Sequence, residues 1–444
     1  MNRLTSSLFA LFASAVPLHA GEVTNFTLDN GLEVVVIEDH RAPVVVNMVW
    51  YRAGSADEPP GRSGIAHFLE HLLFKGTDDM EPGELSRVVA DNGGTDNAFT
   101  SYDYTAYFQR VASDRLELMM RMEADRMRDL ILSEEDIATE RDVIIEERAM
   151  RTDSDPGALM GEQMRATLYM NHPYGVPVIG WRHEMETLER ADALAYYTRF
   201  YAPNNAMLAI AGDVDPQEVK TFAQTYFGQL EPTPDLAPRE RPKEPVPLIE
   251  RRVSMQDARV SQPYLIRTYI APERNPGDQA EAAALTYLAE ILGGSAATSV
   301  LGRALQFDTN TAVYASANYS GDTVDIWTFS FVLVPAADVT LEEGEAALDA
   351  EIAKFMEKGI DVEQFERIKF QIRASETYAL DSVRAQANRY GQGWAIGLDI
   401  EDVKAWPQAL QEVTPQDVME VAKKVLRPTH SVTGYLMPEQ EVAQ

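Results

Sequence analysis

Residues 230–250 read LEPTPDLAPRERPKEPVPLIE, and this stretch divides the chain into two parts. It contains six prolines, at positions 232, 234, 238, 242, 245 and 247. Proline lacks a backbone N–H and fixes φ, so the stretch cannot continue a helix or a central strand and is predicted to be an extended linker. It lies near the middle of residues 21–444 and leaves two flanks of about 200 residues each, within the usual size of a domain.

The two flanks share an order of predicted elements. In the first flank, LEVVVI (32–37) and VVVNMVWY (44–51) have the composition of strands, and a helix containing AHFLEHLLF (66–74) follows them. In the second flank, PYLIRTYI (263–270) is a predicted strand, and a predicted helix over 280–292 follows it. The shared order indicates a weak internal repeat.

Neither flank shows a regular β-α-β rhythm. We therefore predict an α+β fold of two homologous domains, each with a mainly antiparallel sheet and helices packed on one face. The predicted limits are an N-terminal domain over 21–235, a linker over 236–250 and a C-terminal domain over 251–444.

Composition limits the possible chemistry. The chain of 444 residues carries 39 basic and 70 acidic residues, which gives a formal net charge of −31. This balance argues against nucleic-acid binding, because such binding needs clustered lysine and arginine. The chain has no cysteine, so disulfides and thiolate ligands are excluded, and any metal site must use histidine, aspartate or glutamate.

The first residues, MNRLTSSLFALFASAVPLHAGE, have the pattern of a secretory signal peptide over residues 1–20. Arg3 supplies a positive charge, the apolar run over 8–16 is too short to span a bilayer, and LHA (18–20) resembles a cleavage site. We expect cleavage near Ala20 and a periplasmic or secreted mature chain; the alternative is an uncleaved anchor. No later segment is long and apolar enough to be a transmembrane helix.

The stretch AHFLEHLLF contains two of the seven histidines of the chain. Residues four apart lie on one face of a helix, so His67 and His71 form a two-nitrogen clamp for a zinc-like ion. Glu70 lies beside this clamp, where it can take a proton from an attacking water instead of binding the metal. The order HxxEH is the inverzincin signature.

A catalytic zinc site needs a third protein ligand and one open position. The helix predicted over 134–151 offers Glu140, Glu146 and Glu147, of which Glu140 and Glu147 share one face. Spacing alone does not choose among the three.

With these residues the chain resembles the pitrilysin-like zinc metallopeptidases, most closely the branch related to the mitochondrial processing peptidase and its bacterial two-domain relatives. The resemblance covers nearly all of the mature chain. It rests on the blocks HFLEHLLFKGT (67–77), GGTDNAFTSYDYTAYF (93–108), ERDVIIEERAM (140–150), NHPYGVPVIGW (171–181), FYAPNNAMLAIAGDVDP (200–216) and, more weakly, ILGGSAATSVLGRAL (291–305).

The resemblance implies a zinc cofactor and two domains that form a clamshell around the substrate. The zinc motif belongs to the first domain only, because no histidine lies between His183 and His430. The family pattern makes Glu147 the third ligand and gives Glu140 a supporting role that orients a ligand. Nitrogen and oxygen ligands also admit manganese or cobalt.

The resemblance further implies a substrate-binding strand. Asn97, Ala98, Phe99 and Thr100 match a family segment that forms an exposed sheet edge and pairs with the substrate backbone. Such β-augmentation binds an extended peptide through main-chain hydrogen bonds, with little regard to the peptide's sequence.

One part of the family pattern is missing. Some relatives use an arginine and a tyrosine of the second domain to bind the substrate carbonyl and stabilise the oxyanion. In GRALQFDTNTAVYASANYSG (302–321) the candidate tyrosines are Tyr314 and Tyr319, with Arg303 nearby, but Gln306 or Phe307 stands where the arginine is expected. Either a tyrosine acts alone or another subunit completes the site, so we expect a homodimer or a heterodimer with a homologous subunit.

The sequence thus predicts a secreted zinc metalloendopeptidase that hydrolyses peptides or unfolded polypeptide segments. The alternative is a non-catalytic or partner-dependent subunit that binds peptides by strand addition, since the family includes such members. Those members typically lose part of the zinc motif, whereas His67, Glu70, His71 and Glu147 are all present here.

Overall fold

The structure, a computed structural model, describes residues 22–439. The predicted signal peptide over 1–20 lies outside the described residues. Across residues 22–439, no helix combines the length and the apolar character that a membrane span requires.

The first half of the chain forms a six-stranded sheet and its helices. Its elements are β1 (Val23–Thr27), β2 (Glu33–Glu38), β3 (Val44–Tyr51), α1 (Ile65–Leu72), α2 (Glu84–Asp91), β4 (Thr95–Thr100), β5 (Thr105–Ala112), α3 (Leu116–Arg128), α4 (Glu134–Arg148), α5 (Pro156–Leu168), α6 (Arg182–Met185), α7 (Arg190–Phe200), β6 (Ala206–Gly212) and α8 (Pro216–Tyr226). The strand order is β1-β2-β6-β3-β5-β4, and only the β2–β6 pair is parallel. Strand β4 therefore lies at one edge of this sheet.

The second half repeats this architecture with five strands. Its elements are β7 (Arg251–Asp257), β8 (Tyr264–Ala271), α9 (Ala280–Gly293), β9 (Ala312–Tyr319), β10 (Trp327–Pro335), α10 (Leu341–Lys358), α11 (Val362–Ala379), α12 (Val383–Ala395), α13 (Ile400–Glu412), α14 (Pro415–Val425) and β11 (Ser431–Pro438). The strand order is β7-β11-β8-β10-β9, with one parallel pair, β7–β11. Strand β9 lies at an edge, as β4 does in the first sheet.

These two mainly antiparallel sheets with packed helices confirm the predicted α+β fold class. Strand β3 has the predicted limits, and α9 ends one residue beyond its prediction. Strands β4 and β5 form a hairpin, because the tight turn between them reverses the chain. Residues 231–250 contain neither helix nor strand, as expected of a linker, while the domain limits themselves stay a prediction.

The linker is fixed by buried charges. The Arg241 guanidinium donates to Asp57 and Asp103 of the first half and to Asp325 of the second half. Arg241, Asp57 and Asp103 are almost fully buried, so each charge depends on the others for compensation. The centre of the chain is therefore held against both halves.

The two halves also exchange helices, which the prediction of helices on one face of each sheet did not include. Helix α12 of the second half packs on β3 and β6 of the first sheet, where the Trp394 indole N–H donates to Glu33 at 2.7 Å. Helix α5 of the first half buries Met160 and Met164 against Val432 of β11. Each sheet is thus covered on its second face by a helix from the other half.

Both exchanged helices depend on a close approach at a glycine. A Cβ atom at Gly391 of α12 would lie 2.0 Å from Nε1 of the fully buried Trp50. A Cβ atom at Gly434 of β11 would lie 2.4 Å from Sδ of Met164 in α5. A larger residue at Gly391 would force α12 away from the sheet, whereas at Gly434 the flexible methionine side chains of α5 would have to move.

Gly391→Ala is expected to lower the free energy of unfolding by about 1–3 kcal/mol, because the added methyl group collides with a rigid buried indole. Gly161→Ala is the matched control, since it lies in α5 with no atom within 4 Å of the added Cβ. That change should stabilise the protein by about 0.5–1 kcal/mol. Urea unfolding of both variants measures the difference. Equal stability of the two variants would contradict the close packing of α12.

Candidate metal centre

Helix α1 is anchored in the core of the first domain. Phe68, Leu69 and Leu72 are completely buried, which leaves His67 and His71 on the opposite face. The Glu58 carboxylate accepts hydrogen bonds from the backbone N–H groups of Gly64 and Ala66 at the start of the helix. These bonds satisfy two N–H groups that the helix leaves free, so the beginning of α1 is fixed.

The side chains of His67, His71 and Glu147 converge on one point. Their candidate ligand atoms all lie within 4.8 Å of one another. Oε2 of Glu147 is 3.6 Å from Nε2 of His67 and 3.2 Å from Nε2 of His71. Residues from α1 and from the end of α4 therefore form one cluster.

This cluster fits a tetrahedral zinc ion. Ligand atoms about 2.0–2.2 Å from such an ion lie roughly 3.3–3.5 Å apart, close to the two distances from Glu147. Two imidazole nitrogens and one carboxylate oxygen are also a donor set that catalytic zinc sites use. Burial, together with the charges of His71 and Arg151, lowers the pKa of His67 to about 3, so its imidazole is in the neutral form that binds metal.

Contacts at both ends of helix α4 fix the position of the helix and of Glu147 near its end. The Ser133 side chain and Asp136 form a reciprocal capping box at its N-terminus. The buried Arg148 donates to the Glu162 carboxylate at 2.8 Å near its C-terminus. Glu147 faces α1, whereas Glu146 is exposed to solvent. The structure therefore brings Glu147 to the histidines and leaves Glu146 outside.

Glu140 lies two helical turns before Glu147 and contacts His71. Its Oε1 is 2.9 Å from Nδ1 of His71, and its Oε2 is 2.7 Å from Nζ of Lys75. The hydrogen bond with His71 and the Lys75 ammonium group lower the pKa of Glu140 to about 2, against the effect of burial. Burial lowers the pKa of His71, but the bond to Glu140 and the nearby carboxylates raise it overall. The ionised Glu140 thus holds the Nδ1–H of His71 and leaves Nε2 directed at the cluster.

Glu140→Gln is expected to weaken zinc binding about 10- to 100-fold, because the neutral amide holds the His71 ring less firmly. A competition titration with a chromophoric chelator measures the dissociation constant. Asp142→Asn is the control, since Asp142 is an exposed carboxylate on the same helix. Equal zinc affinity of the two variants would contradict the orienting role of Glu140.

Glu70 lies beside the cluster but does not belong to it. Its side chain is buried, and Oε2 accepts a hydrogen bond from the Thr100 hydroxyl at 2.6 Å. Burial raises the pKa of Glu70, which the Thr100 bond only partly offsets. A buried carboxylate with an elevated pKa next to a metal cluster is suited to proton transfer.

A cleft of about 310 Å³ opens beside these groups. Its lining residues are Glu70, His71, Phe74, Lys75, Asn97 and Glu140. Strand β4, which contains Asn97, Ala98, Phe99 and Thr100, therefore borders the cleft at Asn97.

The candidate tyrosines of the second domain have other contacts within residues 22–439. Tyr314 is half exposed on the edge strand β9. The Tyr319 hydroxyl donates to the Pro272 carbonyl at 2.7 Å within its own domain, and burial raises its pKa. Gln306 also remains in this domain, where its amide donates to Ala315 of β9. The described contacts join neither tyrosine to the histidines.

Two side chains at the site were not predicted from the sequence. Lys75 follows His71 by four residues and contacts Glu140. Arg151 follows Glu147 by four residues, and its guanidinium lies 2.6 Å from Oε1 of Glu147. The i,i+4 spacing was the available signal in both cases. Arg151 lies in a π-helical turn over Ala149–Asp153, and such turns are frequent at functional sites.

The chain is similar to several known proteins along most of its length. Residues 33–181 match the family described as insulinase (peptidase family M16), and residues 187–372 match the peptidase M16 inactive domain. The chain is 28% identical over 414 residues to the zinc protease PqqE of Helicobacter pylori, covering 93% of this chain and 92% of that protein. It is 29% identical over 435 residues to an uncharacterized zinc protease of Streptomyces coelicolor, covering 95% of this chain and 91% of that protein. The crystal structure of a protease from Helicobacter pylori superposes with a TM-score of 0.87 at 28% identity, covering 94% of this chain and 99% of that chain.

Proposed function

Because the chain belongs to the pitrilysin-like M16 peptidase family, with zinc as its cofactor, we propose that it is a secreted endopeptidase that hydrolyses peptides or unfolded polypeptide segments. The observation that carries the proposal is the convergence of His67, His71 and Glu147 next to the buried carboxylate of Glu70. In this proposal the first three residues hold the metal and Glu70 is the general base.

Each side chain at the site has a defined role in the proposed reaction. A bound zinc ion supplies Lewis-acid polarisation and activates water at neutral pH. Glu70 accepts the proton of the water that attacks the scissile carbonyl carbon. When the C–N bond breaks, Glu70 returns this proton to the leaving amine, so the base is regenerated. Glu140 and Lys75 keep the His71 ring oriented during the cycle.

The edge strand β4 supports a preference for extended substrates. It borders the cleft that contains Glu70, so a peptide added to its free edge would pass this carboxylate. Main-chain pairing requires an extended segment, which a folded substrate protein does not offer. We therefore propose that Asn97, Ala98, Phe99 and Thr100 bind the substrate backbone.

The remaining parts of the proposal concern location and partners. The signal-like residues 1–20 support export and cleavage near Ala20, which gives a periplasmic or secreted enzyme. The oxyanion would be stabilised by Tyr314 or Tyr319, either in the same chain or from a partner. The half-exposed Tyr314 on the edge strand β9 supports a homodimer or a heterodimer with a homologous subunit.

A second candidate function follows from the second domain. Neither tyrosine contacts the metal cluster within residues 22–439, and an M16 inactive domain matches most of this half. The chain could therefore bind peptides by strand addition and depend on a partner for cleavage.

The experiment that tests the function uses the purified mature chain, an internally quenched peptide and a metal analysis. We expect one zinc ion per chain, cleavage inside the peptide by mass spectrometry, loss of cleavage after chelation and its return with zinc. Zinc binding without any cleavage would contradict the enzyme proposal and support the binding role. Cleavage that begins only when a homologous chain is added would support the partner-dependent form.

A further inference from the structure

Thr100 of β4 has its main chain at the free edge of the sheet and its side chain in contact with Glu70 of α1. Ser101 donates its N–H to the Tyr104 carbonyl at the end of the β4–β5 hairpin. In an antiparallel pair, hydrogen-bonded and non-bonded residue pairs alternate, so Thr100, paired with Thr105, and Ala98, paired with Tyr107, are non-bonded positions. The main-chain groups of Ala98 and Thr100 therefore point to the free edge of the sheet.

The side chain next to Ala98 supports this orientation. The Ala98 N–H donates to the Asn97 side-chain oxygen at 2.9 Å instead of to a strand carbonyl. A peptide that pairs with β4 would replace this local bond by a main-chain bond. The edge is therefore prepared for strand addition at Ala98 and, two residues further, at Thr100.

The Thr100 hydroxyl is directed at Glu70 and not at the free edge. It donates to Oε2 of Glu70 at 2.6 Å and lies 3.3 Å from the Thr105 hydroxyl. The Thr105 hydroxyl donates its own proton to the Ala53 carbonyl, so it can only accept from Thr100. The single proton of Thr100 is shared between these two acceptors, and its short, charge-assisted bond to Glu70 is the stronger one.

We propose that Thr100 is a positioning residue that couples substrate pairing at the edge of β4 to the orientation of Glu70. A peptide paired with the Thr100 main chain restrains the strand, and the hydroxyl transmits this restraint to the carboxylate of the base. The inference rests on the proposed function and adds a substrate property to it. Binding energy from residues distant from the scissile bond is used in the transition state, so kcat rises with peptide length.

The expected substrates are extended peptides long enough to pair with Ala98 and Thr100 while they reach Glu70. Shorter peptides lack this pairing and are cleaved with a lower kcat, even at saturation. A length effect on KM alone would come from ordinary binding, so the division between kcat and KM is the informative quantity.

The test measures kcat and KM for quenched peptides of about four to about ten residues, a range that spans β4-sized segments. In the wild type, kcat should rise with length. Thr100→Val keeps the shape of the side chain and removes the hydroxyl, so kcat for the longest peptide should fall about 10- to 100-fold and the rise with length should disappear. Thr100→Ser restores the hydroxyl and should restore both.

Two controls separate this role from general damage. Thr95→Val makes the same change at the exposed start of β4 and should leave kcat and its length dependence unaltered. Zinc content and circular dichroism of Thr100→Val should match the wild type, because the hydroxyl does not contact the metal cluster.

The outcomes are distinct. An unaltered kcat in Thr100→Val would overturn the inference and leave the peptidase proposal intact. An equal fall of kcat for every peptide length would overturn the coupling to strand pairing. A wild-type chain that cleaves none of the peptides would overturn the proposed function itself, and the inference with it.

Discussion

Replacing Glu70 by glutamine will lower kcat for peptide cleavage by about 10²- to 10⁴-fold while the protein keeps its zinc. The amide has nearly the shape of the carboxylate and can still accept the bond from Thr100, but it cannot take a proton from water. Steady-state cleavage of the quenched peptide measures kcat, and elemental analysis measures bound zinc.

Glu146→Gln is the control for this variant, because it removes an exposed carboxylate near the same cluster without altering a contact. It should retain full activity and full zinc content. If Glu70→Gln loses its zinc, Glu70 is a ligand and its assignment as the base is wrong. Wild-type activity in Glu70→Gln would exclude it from the reaction altogether.

The second large effect concerns the metal itself. Glu147→Gln should weaken zinc binding by more than about 100-fold, since removal of a ligand exceeds the effect of altering the groups that orient one. The variant exchanges an anionic oxygen for a neutral one at the point where both histidine Nε2 atoms meet. Activity at limiting zinc should disappear with the metal.

A thermal measurement separates this loss from misfolding. Zinc at 100 times its dissociation constant should stabilise the wild type by about 2.7 kcal/mol, and Glu147→Gln should gain almost nothing under the same conditions. The melting temperatures of the two metal-free proteins should be similar. A variant that binds zinc as tightly as the wild type would show that Glu147 is not the third ligand.

Most of the metal site could be predicted from local sequence patterns. The i,i+4 spacing of His67 and His71 depends only on helical geometry, which is the same in any fold, and the structure has these residues on one face of α1. The choice of Glu147 as the third ligand required the family resemblance, because the spacing along the helix does not distinguish among the three glutamates. The structure distinguishes them by exposure, with Glu146 in solvent and Glu140 on Lys75.

Tertiary arrangement was less accessible to sequence reasoning. The amphipathic pattern of α12 indicates an apolar face but not which sheet that face covers, so its packing on the first sheet could not be inferred. The Thr100 bond to Glu70 likewise joins residues of two elements whose contact only the folded chain defines. Tyr314 and Tyr319 stay candidates, because their roles depend on a substrate or a partner chain.

The exchange of α5 and α12 has a consequence for substrate entry. Pulling the two halves apart would strip α12 from Trp50 and α5 from Val432, and would expose the buried charges around Arg241. Such a separation is opposed by the loss of these apolar contacts and of the Arg241–Asp325 pair, so we expect the two halves to move as one body. We therefore expect a peptide to reach Glu70 along the open edge of β4, without a wide separation of the two halves.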